Sequence, residues 1–322
     1  MRKRVTMGVV VLLALLGGAY LAVSYVLYDQ LTDVAGSCDR HAANRPNDFV
    51  DRAGWWGTDF DYEAYFMPQY EEVRFPSRQD GLTIAAFYVE AAPDASTVIL
   101  VHGLGGCKNA HEVLVPGGIL WRHGFNVLLL DVRDVGESDM EDGRSAIGNE
   151  EYLDVLGAWD WLATVKGIPA ERIGLLGNSL GAATALNAFR LEPRVAAVFV
   201  DSPFDNLPQI IEEELARNNY PLFLTQGGIW MARLVAGDNL LAYDPGDAVN
   251  ASNGRPMYII HGTADTRIDY HHSLQLRDRA AALGADNVTV QIVDGVNHIQ
   301  MARDYPQEYE TAVVNFFRAT LK

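Results

Sequence analysis

Cysteine is scarce in this chain of 322 residues, with only Cys38 and Cys107 present. No C-x-x-C spacing occurs, which excludes the common zinc and dithiol motifs. The two cysteines lie far apart in sequence, and a disulfide between them is not expected. Positive charge is also short: 25 Lys and Arg stand against 42 Asp and Glu, a formal net charge of −17. That balance excludes nucleic acid as a partner and argues against peripheral binding to anionic lipid. No internal repeat or low-complexity tract is present. Uncharged stretches of twenty residues or more are missing too, except for one at the N-terminus.

That exception follows the basic start Met1-Arg2-Lys3-Arg4 and runs without a charge from Val5 to Tyr28. About 20 apolar residues span a bilayer as a helix. A cleaved signal peptide has a shorter apolar region, about 7–15 residues. Tyr20, Tyr25 and Tyr28 resemble an interfacial aromatic belt, and Asp29, Asp33 and Asp39 follow. Residues 1–29 therefore read as a transmembrane signal-anchor, with a cleaved signal as the rival reading. The positive-inside rule puts the N-terminus in the cytoplasm and the remainder outside it.

Residues 30–68 are polar with scattered aromatics and read as a linker that packs onto the domain near Trp55. From residue 69 to 322 the pattern is that of one α/β domain. Glu71 to Phe75 and Leu82 to Glu90 form a hairpin around Asp80-Gly81. Apolar runs at Thr97–Val101, Asn126–Asp131, Ile173–Leu176, Val195–Val200, Pro256–His261 and Val288–Val293 then alternate with helical stretches. Such alternation marks a mostly parallel sheet covered on both faces. Residues 205–250 break the alternation and read as a small lid insertion. Its apolar stretches, Leu222–Leu224 and Ile229–Leu234, point either to an acyl or otherwise apolar substrate or to packing of the lid onto the core.

Gly177-Asn178-Ser179-Leu180-Gly181 joins the strand at Ile173–Leu176 to a helix-forming stretch, Ala182–Phe189. A serine at such a turn has a strained backbone and a protruding Oγ, and glycines on either side leave room for neighbouring elements. The helix N-terminus points free N–H groups at the reacting centre, so the Leu180 N–H helps to hold an oxyanion. Ser179 is the candidate nucleophile.

With a later aspartate and a late histidine, this chain resembles the α/β-hydrolase superfamily, whose order is nucleophile, acid, base. The resemblance covers Glu71 to the C-terminus, and is nearest to membrane-tethered serine hydrolases and the serine aminopeptidase and lysophospholipase-like group. It implies an eight-stranded, mostly parallel sheet. It places the acid at Asp265, in His261-Gly262-Thr263-Ala264-Asp265, with Asp201 and Asp205 as rivals. The base falls at His298, in Gly295-Val296-Asn297-His298. Val101-His102-Gly103-Leu104-Gly105-Gly106 is similar to the oxyanion loop, with Leu104 as its donor and His102 as a brace. In Asp131-Val132-Arg133-Asp134-Val135-Gly136 the commoner glycine is replaced by Asp134, a change of loop shape. His261 reads as structural, and His111, His123, His271 and His272 as helix-surface residues.

These readings converge on a membrane-anchored serine hydrolase that cleaves an ester, thioester or amide of a small-molecule or lipid-like acyl substrate, with no metal or organic cofactor implied. An aminopeptidase-type peptidase is the alternative, with Glu212, Glu213 and Glu214 holding a substrate amine. A non-catalytic binding domain on a hydrolase scaffold is the alternative of another class.

Overall fold

The computed structural model describes residues 2–51 and 56–322. Trp55, where the linker is expected to pack, lies outside the described residues. Its neighbour Trp56 is buried, together with Phe49, Tyr62 and Met67.

The chain opens with one long helix, α1 (Arg2–Thr32). Within it, Thr6–Thr32 is long and apolar enough to cross a membrane. Irregular chain and a short 3₁₀ turn at Tyr62–Tyr65 lead into the sheet. Strands β1 (Glu71–Pro76) and β2 (Thr83–Val89) form the expected hairpin. Then come β3 (Thr97–Val101), α2 (His111–Arg122), β4 (Asn126–Leu130), α3 (Tyr152–Thr164), β5 (Ile173–Asn178), α4 (Leu180–Leu191) and β6 (Ala197–Asp201). The insertion holds α5 (Leu207–Arg217), a 3₁₀ turn at Leu222–Leu224, α6 (Thr225–Val235) and the short α7 (Asp247–Asn250). The chain ends with β7 (Met257–Gly262), α8 (His271–Leu283), β8 (Val288–Val293), α9 (Met301–Asp304) and α10 (Pro306–Thr320).

Among the described residues eight strands form one sheet, in the order β1-β2-β4-β3-β5-β6-β7-β8. Only the β1–β2 and β2–β4 pairings are antiparallel; the other five are parallel. The central strands β3, β4, β5 and β6 are buried along their whole length. That burial explains their unbroken apolar runs, since helices cover both faces of a parallel sheet. This is the α/β-hydrolase architecture.

Burial overturns one reading of the histidines. His111 and His272 are almost wholly buried, not on helix surfaces. The His111 ring meets those of Phe49 and Tyr62, which belong to the extension before the sheet.

The cysteines overturn another expectation. Cys38 and Cys107 form a disulfide across 69 residues, with their Cα atoms 5.4 Å apart. Sequence distance is no obstacle, because the extension returns across the domain and lies against the loop before α2. Asn44 and Asn109 tie the same two segments by a reciprocal pair of amide-to-carbonyl hydrogen bonds.

A cross-link closing a loop of this length is worth about 3–5 kcal/mol, chiefly by restricting the unfolded chain. The Cys38→Ser/Cys107→Ser double variant should therefore melt about 5–15 °C lower than the parent under non-reducing conditions, as followed by circular dichroism. Equal melting points would mean that the bond contributes nothing to stability.

Candidate functional site

At the end of β5 the chain turns into α4 within one residue. Ser179 takes φ 53° and ψ −123°, a strained conformation for any residue with a Cβ. The glycines are required by contact. A Cβ on Gly177 would lie 2.1 Å from the Gly181 carbonyl oxygen, and one on Gly181 would lie 2.3 Å from that of Val101. The Ser179 N–H donates to the Asp201 carbonyl at 2.9 Å, so β6 holds the turn from behind. Ser179 Oγ is thereby presented at the C-terminal edge of the sheet.

Two other loops reach this point. His298, after β8, places Nε2 2.9 Å from Ser179 Oγ. Its Nδ1 lies 2.7 Å from Asp265 Oδ2, in the loop after β7. Asn297 joins the two loops, its Oδ1 accepting from the backbone N–H groups of Thr266 at 3.0 Å and His298 at 2.8 Å. The aspartates considered as rivals are occupied elsewhere. Asp201 accepts from the Ser202 hydroxyl, and Asp205 pairs with Arg279.

The Asp265 side chain is buried, and both carboxylate oxygens are engaged. Oδ1 accepts from the backbone N–H groups of Arg267 and Ile268, each at 2.8 Å. Oδ2 faces His298 and also His261 Nε2 at 3.1 Å. Since His261 Nε2 also lies 3.0 Å from the Ile268 carbonyl, an acceptor only, this nitrogen carries the proton. Burial alone would push the Asp265 carboxyl up. The hydrogen bonds from His261 and His298 outweigh it and hold the group well below the usual carboxylate range. His261 thus does more than end a strand: it touches the aspartate directly. Its place in β7, four residues before Asp265, was the available signal.

The loop after β3 lies against the turn, where a Cβ on Gly103 would sit 3.1 Å from that of Ser179. His102 braces this loop: Nδ1 is 2.9 Å from the Gly103 carbonyl, and Nε2 accepts from the Val132 N–H. Leu104 follows on the cavity wall, opposite Leu180, the first residue of α4. Asp134 adopts φ 63° and accepts from the N–H groups of Glu141, Asp142 and Gly143, so the residue in the glycine position fastens its own loop.

A cavity of about 380 Å³ opens over Ser179 and His298. Leu31 of α1 and Ile147, Phe204, Ile210, Ile211 and Ile268 form its apolar wall. Arg217 and Arg267 stand at its rim and share the carboxylate of Glu214. Glu112 also faces the cavity, and burial raises its carboxyl to about 7. The apolar stretches of the insertion read from the sequence as substrate contacts, Leu222–Leu224 and Ile229–Leu234, are not part of this wall. Its apolar residues from the insertion come from α5 instead.

Asp201 sits behind the turn, and burial pushes its carboxyl up to about 7. A raised folded value means that the fold binds this proton more tightly than the unfolded chain, where the group ionises near 4. Its contribution is complete below about 4 and is lost as pH rises toward 7. Denaturant titrations should show the stability difference between Asp201→Asn and the parent shifting in the variant's favour between pH 4.5 and 7.5, on the order of 2–4 kcal/mol. A pH-independent difference would place Asp201 at an ordinary value.

Comparison with known proteins bears on the family and the fold. The model of the prolyl oligopeptidase family matches residues 119–322. An uncharacterized protein of Escherichia coli O157:H7 is 24% identical over 259 residues, covering 78% of this chain and 81% of that one. A thiohydrolase of Aspergillus aculeatus is 28% identical over 160 residues, 46% of this chain and 49% of its own length. Among solved structures, an esterase of Pyrococcus furiosus superposes with a TM-score of 0.64 at 21% identity, covering 79% of this chain and 92% of its own. An acylaminoacyl peptidase of Pyrococcus horikoshii superposes at 0.58 and 19% identity, covering 79% of this chain and 42% of its own. With a family match over well more than half its length, the chain belongs to the prolyl oligopeptidase family and is a serine hydrolase of the α/β-hydrolase fold.

Proposed function

We propose that this protein cleaves carboxylic esters or thioesters of apolar acyl groups through an acyl-enzyme on Ser179, and that α1 holds it in a membrane. The observation that carries the reading is the hydrogen-bonded series Ser179–His298–Asp265 at the floor of an apolar cavity.

Each role follows from position. His298 Nε2 takes the Ser179 proton as Oγ attacks the acyl carbon, and returns it to the leaving group. Asp265, held ionised by its donors, keeps the His298 proton on Nδ1 and stabilises the imidazolium. The N–H groups of Leu180 and Leu104 receive the charge that develops on the acyl oxygen. Water then enters, loses a proton to His298 and releases the acid. The apolar wall takes the acyl chain, because burial of each CH₂ is worth about 0.8 kcal/mol.

Three observations speak against the aminopeptidase alternative. Glu212 is exposed, and Glu213 is paired with His271 and His272. Glu214 is shared by two arginines, which leaves the rim with net positive charge. At the rim a substrate ammonium would meet Arg217 and Arg267, two cations against the one carboxylate of Glu214.

For topology, the basic start and the acids after the apolar run favour a cytoplasmic N-terminus. The Cys38–Cys107 disulfide supports the same orientation by independent chemistry, since such bonds persist in oxidising compartments.

A fluorophosphonate probe should label the parent covalently and fail to label Ser179→Ala or His298→Ala. Asp265→Asn should keep the fold and lower kcat on p-nitrophenyl acyl esters about 10⁴-fold, because the wrong His298 tautomer is then favoured. Acyl esters should be cleaved faster than aminoacyl p-nitroanilides. Preference for the aminoacyl series would select the peptidase alternative. A folded parent that takes no label would return the chain to the non-catalytic reading.

A further inference from the structure

The second half of α1 is built into the insertion rather than standing apart from it. The Tyr20 ring stacks on Phe223 with centroids 6.1 Å apart, and its hydroxyl donates to the Phe223 carbonyl at 3.2 Å. At Gly227 the two helices touch so closely that a Cβ there would lie 2.1 Å from Ser24 Oγ. Leu27 and Tyr28 are buried in one cluster with Leu224, Ile229, Met231 and Ala232. Asp29 pairs with Arg144 at 2.6 Å, which fixes the end of the helix to the domain. Before Tyr20 the apolar side chains are exposed, Leu13 to 62% and Leu15 to 67%.

Helix length then decides how deep the insertion sits. The hydrocarbon layer is about 30 Å thick and takes about 20 residues at 1.5 Å each. Counted from Val5, directly after the basic start, that span ends at Ser24. The stretch free of the insertion stops at Ala19, after only about 22 Å. The remaining distance, about 7 Å, coincides with the contact of α1 with Phe223 and Gly227. An upright α1 cannot cross the bilayer unless the insertion enters its edge.

The surface at that level suits such an environment. Between Tyr220 and Gly237 there is no acid and a single base, Arg233, in a chain with 42 Asp and Glu. Phe223 is 68% exposed, Trp230 56% and Leu234 74%. Among the described residues, seven of the thirteen exposed large apolar side chains outside α1 fall between Tyr220 and Leu241. That concentration next to a candidate span marks a contact surface rather than scattered exposure.

We propose that the face of the insertion formed by Leu222, Phe223, Trp230 and Leu234 is immersed in the outer leaflet beside α1, and that the enzyme takes amphiphilic acyl lipids directly from the bilayer. Leu31 lies in the cavity wall seven residues beyond Ser24, so the mouth stands about 10 Å past the hydrocarbon edge, in the headgroup layer. There an acyl chain reaches the apolar wall without crossing water. The proposal rests on the reading of α1 as a membrane anchor and of Ser179 as the nucleophile.

The test uses the full-length chain in phosphatidylcholine vesicles, with and without lipids brominated near the headgroup. The parent should float with the vesicles, and bromolipid should quench a component of tryptophan emission that Trp230→Phe removes. Phe223→Ser/Trp230→Ser should lower hydrolysis of a vesicle-borne acyl lipid about tenfold while leaving cleavage of soluble p-nitrophenyl acetate unchanged. A floating, active parent whose Trp230 component ignores bromolipid overturns the immersed face and assigns it another cover, a second copy of the chain included. A parent that does not float overturns the anchor and the proposal together. A parent that floats and is quenched but hydrolyses nothing overturns the catalytic reading and the lipid substrate with it.

Discussion

Everything in this site depends on a crossing too tight for a side chain. Strand β5 ends and α4 begins within one residue, and the helix passes over the end of β3 at van der Waals limits. Only glycine fits at 177 and 181, and only the strained conformation of Ser179 completes the turn. The strain is sustained because buried β3 and β6 flank β5 and because the Asp201 carbonyl holds the Ser179 N–H. The same crossing aims the free N–H groups of α4 at the space above Oγ, so presentation of the serine and electrostatic support for its reaction come from one constraint.

Facing that rigid turn, Asp265 and His298 stand on two loops, and loops need fastening. Asn297 ties them to each other, and four donors converge on the Asp265 carboxylate. A buried carboxylate without such partners would be neutral and unable to polarise an imidazole. His261 therefore supports the ionised state of Asp265 at Oδ2, the same oxygen that faces His298. The disulfide works further out, tying the extension to the loop that follows Leu104.

The insertion links chemistry to surroundings. Its α5 contributes Ile210 and Ile211 to the cavity, while its α6 packs along α1 and turns apolar side chains outward. One segment thus touches both the cavity over Ser179 and the helix able to cross a membrane. The strongly acidic remainder of the surface would be repelled by anionic headgroups, which leaves the acid-free stretch from Tyr220 to Gly237 as the side suited to face lipid.

Local chemistry made much of this legible in the sequence. Continuous apolar runs mark buried parallel strands, and glycines two residues either side of a serine between strand and helix mark the turn, because both are consequences of sterics within a few residues. The long uncharged N-terminal run is legible for the same reason, since its length alone meets the thickness of a bilayer. Contacts between distant segments were not legible. The pairing of Cys38 with Cys107 depends on where the extension returns, and the burial of His111 depends on the same path. The meeting of Arg267 with Glu214 and the packing of α1 on α6 belong to this class too. Side chains 50 to 200 residues apart carry no mutual spacing rule, so only the folded backbone decides which of them meet, and with that meeting the lining of the cavity and the seat of α1 on the insertion.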